Sequence, residues 1–453
     1  MNGVFLAGLL VLGGASAQPA PAQPGPAASE PRETIESLMA EGEGQLELRR
    51  YEEAIQIFDR VLARVPEFGP ALAQRALAYA WTNRLVEATR DIDAAARSMP
   101  ESVLLHTVRA TIAQRRSDDP AAIAEYGRAL ALDPANEHAL RSRAYIYQRA
   151  GNHEAALADA ETYIAAYPDS VDGYVLKADL LIGQRERLRA AAEAERLIRQ
   201  SPDDPAFLAA AANIYHALAD RARALAAMDR AIALNPESFG LRLYRASFRR
   251  WDDFAGRRAD LDAALLLEPG HGSILTDLAL LDFKERKWRE AIARFSTVLA
   301  LEPRDFGLLA YRAMAHLNAG DRAAAERDYR AALAASEGAD DFSLICFSLA
   351  REGFALDWAL DACDRAVALN GSDSSHRANR GMVELRLGRL DAALADYDAA
   401  IAADRRQADG YYGRALVHQR RGEQQSAAAD RAEALAIDPG IAEEYESYGL
   451  PGA

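Results

Sequence analysis

Ala131-Leu132-Asp133-Pro134 ends on a proline that does not stand alone: Pro66, Pro100, Pro134, Pro168, Pro202 and Pro236 follow one another at intervals of 34 residues. Pro269 comes 33 residues later and Pro303 a further 34, and the same phase passes Glu337, Gly371 and Arg405 before Pro439. Proline cannot donate to a helical ladder and biases its predecessor away from helical angles, so each such motif ends a helix. Even spacing on this scale marks a repeated structural element rather than one globular core.

Working outward from the prolines, the residue twelve places earlier is Ala54, Ala88, Ala122, Ala156, Ala190, Ala224, Arg257, Ala291, Ala325, Ala359, Ala393 and Ala427. A second series of small residues runs Gly42, Ala76, Ala110, Ala144, Ala178, Ala212, Ala246, Ala279, Ala313, Phe347, Gly381 and Ala415. Two small residues twelve apart bring two helices together backbone to backbone. Turn residues such as Gly151-Asn152, Gly320-Asp321, Gly388-Arg389 and Gly422-Glu423 separate them and let the chain reverse. Each repeat is therefore a helix hairpin, and one residue is missing near Trp251, in the expected turn of the seventh. Composition agrees: half of the 453 residues are hydrophobic, but only 4 Trp, 13 Phe and 6 Met are available, which suits many thin layers better than one thick core.

The pattern resembles the tetratricopeptide repeat, with small residues at positions 8 and 20, an aromatic at 24, alanine at 27 and proline at 32 of each repeat. Leu278, Ala279, Trp288, Ala291, Phe295 and Pro303 stand in those or neighbouring places of the eighth repeat. The resemblance covers residues 35–441. It implies an all-α, right-handed superhelical solenoid of about twelve hairpins, whose first helices line a protein-binding face. Residues 442–453 read as a capping helix and tail, with Glu443, Glu444 and Glu446 turned outward.

Comparing the repeats with one another adds a feature beyond the family pattern. Position 7 holds Arg75, Arg109, Arg143, Lys177, Arg245, Arg312, Arg380 and Arg414. Sixteen places later in the phased alignment stand Asp91, Glu125, Asp159, Glu193, Asp260, Asp328, Asp396 and Asp430. Repeats without the cation lack the acid too, having Glu41 with Ile57, Ala211 with Ala227, Leu278 with Arg294, and Cys346 with Ala362. Matched presence and absence predicts ion pairs across each hairpin, with a ligand-binding arginine ladder as the other reading. Cys346 and Cys363, the chain's 2 cysteines, fall in the tenth repeat, where Phe347 replaces a small residue. They are expected to form a disulfide; two buried thiols are the alternative.

Nothing in the sequence carries chemistry. The 8 histidines are scattered without metal-ligand spacing, and no phosphate loop or nucleophile elbow is present, so no catalytic residue and no cofactor or metal is assigned. His316 and His418 occupy a place usual for tyrosine and read as interface residues. A formal charge of −15 argues against nucleic acid as partner. The candidate partner-binding stripe is Leu280, Phe283, Met314, Leu317, Met382, Leu385 and Leu416, with core packing as the alternative. The lysine and asparagine clamp of chaperone-binding relatives is missing, since only Asn379 fits it.

Residues 1–17 read as a signal peptide: Val4–Leu12 is apolar and Ala15-Ser16-Ala17 is a small-x-small cleavage site, although no Lys or Arg lies near Met1. The run is too short to span a bilayer as a mature helix. Residues 18–34, rich in proline and alanine, read as a flexible leader. The expected function is a non-catalytic, protein- or peptide-binding scaffold in the bacterial cell envelope, periplasmic or secreted. The alternatives are a regulatory subunit of an envelope peptidase or transglycosylase, or a cytoplasmic assembly factor if residues 1–17 are not a signal.

Overall fold

The computed structural model describes residues 34–450; the stretches expected to be a signal and, except for residue 34, a leader lie outside the described residues, as do the last three residues of the expected tail. The chain divides into two compact units at Gln184/Arg185. The first contains α1 (Ile35–Glu47), α2 (Tyr51–Arg64), α3 (Gly69–Trp81), α4 (Leu85–Ala95), α5 (Val103–Arg115), α6 (Asp119–Leu132), α7 (Glu137–Arg149), α8 (His153–Ala166) and α9 (Asp172–Gly183). The second opens with α10 (Arg187–Gln200), α11 (Pro205–Ala217), α12 (Arg221–Leu234), α13 (Phe239–Phe248), α14 (Phe254–Leu267), α15 (Gly272–Lys284), α16 (Trp288–Leu299), α17 (Phe306–Asn318) and α18 (Arg322–Ala335). It continues with α19 (Ala339–Glu352), α20 (Leu356–Leu369), α21 (Ser374–Arg386), α22 (Leu390–Ala403), α23 (Ala408–Arg421), α24 (Gln424–Ile437) and α25 (Ile441–Ser447). No strand occurs among the described residues, and none of their helices is long and apolar enough to cross a membrane.

Within each unit the helices pair as antiparallel hairpins and the hairpins stack, so each unit is a helical solenoid. Helices α9 and α10 continue the phase as the two helices of the fifth repeat. The boundaries follow from capping chemistry. Asn152 and Asp321 cap α8 and α18 by accepting from the amides of Ala155 and Ala324 at 3.2 and 2.9 Å. Just before these caps the chain enters the left-handed region, at Gly151 (φ 77°) and Gly320 (φ 88°). The same step recurs at Arg49, Asn83, Ser117, Ala219 and Arg286, where a side chain bears the cost of positive φ because the hairpin geometry requires it.

The alanines of the second helices are the closest contact points. Ala54, Ala88, Ala122, Ala156, Ala224, Ala291, Ala325, Ala359 and Ala393 have no exposed surface. Opposite them, the small residues of the first helices leave room for the ring at position 24: a Cβ on Gly42 would lie 2.6 Å from Phe58, and one on Gly381 would lie 2.9 Å from Tyr397. Tyr126, Phe295 and Tyr329 fill the same layer in other repeats.

The seventh repeat corrects one expectation. Its missing residue is expected in the turn, yet the turn, Arg249–Asp253, is longer than the two- or three-residue turns of the other hairpins. The shortening is in α13, which has 10 residues where α11 and α15 have 13. Arg249 leaves the helix in an extended conformation (φ −66°, ψ 156°), and no left-handed residue follows before α14. Helix α25 begins like the first helix of a further repeat, with Ile441 and Tyr445 buried and Glu443, Glu444 and Glu446 exposed, and then stops.

Gly381→Ala tests the layer most simply. Overpacking against Tyr397 is expected to destabilise the second unit by about 1–3 kcal/mol, read as a lowered urea midpoint; an unchanged midpoint contradicts this contact.

Candidate functional site

Four of the position-7 cations, Arg75, Arg245, Arg380 and Arg414, lie between two acids. Arg143, Arg312, Arg380 and Arg414 each form a two-pronged pair with the acid 16 residues later: Arg143 with Asp159 at 2.9 and 2.7 Å, Arg312 with Asp328 at 2.7 Å on both prongs, and Arg380 with Asp396 and Arg414 with Asp430 at 2.8 and 2.7 Å. Arg75 reaches Asp91 at 2.6 Å, and Arg245 reaches Asp260 through Nε at 2.9 Å. These acids are buried, with Asp260 only 1% exposed. Hydrogen bonds donated to Asp159, Asp396 and Asp430 raise the pKa of Arg143, Arg380 and Arg414 against the opposing effect of burial.

The remaining prong points the other way along the chain. Arg245, Arg380 and Arg414 donate through Nη1 to Asp229, Asp364 and Asp398 of the preceding repeat at 2.7, 2.9 and 2.7 Å; Arg75 does so to Asp59 and Lys177 to Glu161. Arg312 uses Ser296 Oγ at 3.1 Å, and the Arg143 guanidinium lies beside Gly127. Each bridging cation thus joins the second helices of two successive repeats. Matching each cation only with residues that follow it does not reveal this second partner, although the sequence carries the signal: the residue 16 places before the cation is acidic in six of the eight repeats, namely Asp59, Asp93, Glu161, Asp229, Asp364 and Asp398.

The expected pairing of Arg109 with Glu125 is corrected. Glu125 is taken by His106 Nδ1 at 2.7 Å and by Arg128, while Arg109 turns back to Asp93 at 3.5 Å. A glutamate reaches one carbon further than aspartate and so meets the histidine one helical turn before Arg109. Repeat 8, which lacks the cation, inverts the pair: the buried Asp282 on α15 receives Arg258 of α14 at 2.7 Å and Arg294 of α16.

Cys346 and Cys363 are joined, with Cα atoms 5.2 Å apart. The placing of Cys346 in the cation's register is corrected by the geometry. In repeats 1 and 11 the ring at position 24 meets the residue 16 places earlier (Gly42 with Phe58, Gly381 with Tyr397), whereas Cys363 meets the residue 17 places earlier. Helix α19 is therefore displaced by one residue. Cys346 occupies the small-residue place, and Phe347 is not wedged between the helices of its hairpin: its ring lies 5.9 Å from that of Tyr448.

The apolar stripe read as partner-binding is, for the most part, core. Phe283, Met314, Met382, Leu385 and Leu416 are buried in the apolar cluster of repeats 8–12, and Leu280 and Leu317 pack against it half-buried. First helices lie directly against one another, so methionine and leucine on those faces fill the space between repeats. An accessible cleft is found beside the stripe, between α19 and α21. Its cavity of about 290 Å³ has Leu344 and Phe347 on one wall and Asp373, Ser375, His376 and Asn379 on the other. Asn379 Nδ2 donates to Ser343 Oγ at 3.0 Å, and His376 Nε2 is 3.1 Å from the exposed carboxylate of Asp340, tying the walls together. Neither group was assigned from sequence, apart from Asn379's resemblance to a clamp residue.

A chain of phased helix hairpins with buried inter-helix ion pairs and no sheet among the described residues is an α-hairpin repeat protein. Family profiles described as tetratricopeptide repeat match residues 107–171, 206–238 and 276–340, and one described as TPR repeat matches residues 381–422. The chain belongs to the tetratricopeptide repeat proteins, and its repeats support a protein-binding scaffold. A sequence comparison with curated proteins found no match. Among solved structures the chain is similar to yeast Tom70, with 15% identity over 92% of this chain and 94% of that one and a TM-score of 0.45. It is similar also to a chain of the APC/C hetero-tetramer Cut9-Hcn1, with 14% identity, 92% and 96% coverage and a TM-score of 0.40. YrrB, described as a TPR protein with an unusual peptide-binding site, matches at 21% identity over 42% of this chain and 98% of its own, with a TM-score of 0.30.

Asp396→Ala is expected to cost about 1–3 kcal/mol, because it removes both prongs of the buried pair and leaves Arg380 only the exposed Asp364. Asp364→Ala, which removes a partner 57% exposed, is expected to cost below about 1 kcal/mol. Equilibrium denaturation of both variants checks the order, and equal effects contradict the division into an inner and an outer acid. A pH effect is expected at Asp179, whose pKa burial raises from 3.8 to about 6, partly offset by the Tyr145 hydroxyl. A carboxyl with a raised folded pKa favours the fold when neutral, so stability falls as pH rises from 3.8 through about 6. Asp179→Asn is expected to abolish this fall, worth at most about 3 kcal/mol; an unchanged pH profile contradicts the assignment.

Proposed function

We propose that the chain is a non-catalytic scaffold of the cell envelope that binds a protein or peptide partner at the α19/α21 cleft. The observation that carries this reading is the cleft itself. It pairs an apolar wall, Leu344 and Phe347, with carboxylates at Asp340 and Asp373, and a cavity of about 290 Å³ takes one or two side chains. An extended segment carrying an apolar residue next to a basic or amide residue satisfies both walls. Placement in the envelope is supported by the apolar run Val4–Leu12 with Ala15-Ser16-Ala17, and by the bonded cysteine pair, which an oxidising compartment favours.

Photocrosslinking in intact cells tests the binding face. A benzoylphenylalanine at position 344 is expected to capture a discrete partner, and one at the exposed position 188 is expected to capture none; the same products from both positions, or none from either, contradict the reading. Mass measurement of the purified mature chain is expected to place its first residue at Gln18. A chain retaining Met1 or Asn2 in the cytoplasmic fraction rules out export.

A further inference from the structure

The segment just beyond the last helix is not simply part of the cap. Helix α25 completes the twelfth repeat through Tyr445, whose ring lies 4.8 Å from that of Tyr412 and whose hydroxyl donates to the Asp409 carbonyl at 3.3 Å. After Ser447 the helix stops, Gly449 takes a left-handed turn (φ 65°), and residues 448–450 run back over α21 to α19, two repeats away. There the Tyr448 ring stands edge-on to Phe347 at 5.9 Å. The Tyr448 carbonyl accepts from Arg386 Nη2, which also donates to the Arg351 carbonyl at the end of α19 at 2.8 Å. Leu450 is 4% exposed.

Two details set this contact apart from ordinary capping. Phe347 is also a wall of the α19/α21 cleft, so Tyr448 covers one of the two apolar residues a partner would use there. Arg386 is held by neutral backbone carbonyls, with its buried Nε unpartnered. A half-buried guanidinium without a carboxylate is an under-used donor, and it would bind a carboxylate or a better-placed carbonyl more strongly.

We propose that Tyr448-Gly449-Leu450 is an internal occupant of the partner-binding face, and that the partner displaces it with a segment of like chemistry: an aromatic side chain on Phe347, an acceptor oxygen on Arg386 and a following apolar residue. The proposal rests on the reading of the α19/α21 cleft as the binding face. Displacing the strap removes the contact of Tyr448 with the Tyr445 ring at 5.5 Å but leaves the Tyr445 contacts with the Tyr412 ring and the Asp409 carbonyl.

The test uses the full chain and a labelled peptide of residues 444–450, followed by fluorescence anisotropy. Tyr448→Ala and, separately, Leu450→Ala are expected to bind the peptide at least tenfold more tightly than the wild-type chain, whose own segment fills the site. Adding Phe347→Ala to either is expected to remove the gain. Equal binding by wild-type and variant chains, or no binding by any, overturns the strap. Competition with the partner is read separately, as a severalfold rise in capture from position 344 when Tyr448 is replaced by alanine; unchanged capture overturns displacement. Failure of capture in every chain, with the peptide result intact, would count against the scaffold reading and not against the self-occupied face.

Discussion

One guanidinium between two acids, one 16 residues behind it and one 15 or 16 ahead, fixes the register of the hairpins at Arg75, Arg245, Arg380 and Arg414. The forward acid is on the second helix of the same hairpin and is buried; the backward acid is on the second helix of the previous hairpin and faces water. The two contacts differ in consequence. A buried charge that loses its partner is heavily penalised, so the forward contact discriminates against a slipped hairpin even if its net gain over apolar packing is small. The backward contact is weak and screened by salt, but it repeats, and it ties each hairpin to its neighbour along an edge where the alanine layers alone leave sliding inexpensive.

Irregular repeats alter this pairing. The shortened α13 brings Arg249 onto Asp260 at 2.7 Å beside Arg245, so one buried carboxylate holds two cations. Repeat 8 reverses the polarity around Asp282. Repeat 10 lacks the ion pair; a covalent bond joins its small-residue place to position 24, and its first helix is displaced by one residue. That displacement turns Phe347 away from the helix contact and towards the cleft. The irregularity of repeat 10 and the candidate binding face are thus the same event seen from two sides: the scaffold departs from its repeat where it forms a cavity.

The sequence made the hairpins legible because a 34-residue period leaves little freedom: proline, alanine and the turn residues mark each boundary by backbone chemistry alone. Six forward pairs, such as Arg143 with Asp159, could be read from covariation between repeats, since two aspartate oxygens match one guanidinium at fixed spacing. Arg109 escaped the rule because His106 competes for Glu125, a contact that spacing does not reveal. The methionine and leucine stripe was misread because apolar residues on first helices look the same whether they line a groove or fill the space between repeats. The cleft was invisible because it depends on the one-residue displacement of α19, and the contact of Tyr448 with Phe347 joins residues 101 apart, far outside any local pattern.

A partner-binding face on an array of this kind needs rigid neighbours and one place where the rule is relaxed. The bridges of repeats 11 and 12, at Arg380 and Arg414, supply the first, and repeat 10 supplies the second. The claim that one cation joins successive repeats is tested most directly by a double-mutant cycle on Arg414 and Asp398, which belong to different hairpins, measured by equilibrium denaturation at low and high salt. The account predicts a coupling of about 0.3–1 kcal/mol at low salt that shrinks as salt is added. Strictly additive effects at low salt would show that the two repeats do not share the arginine.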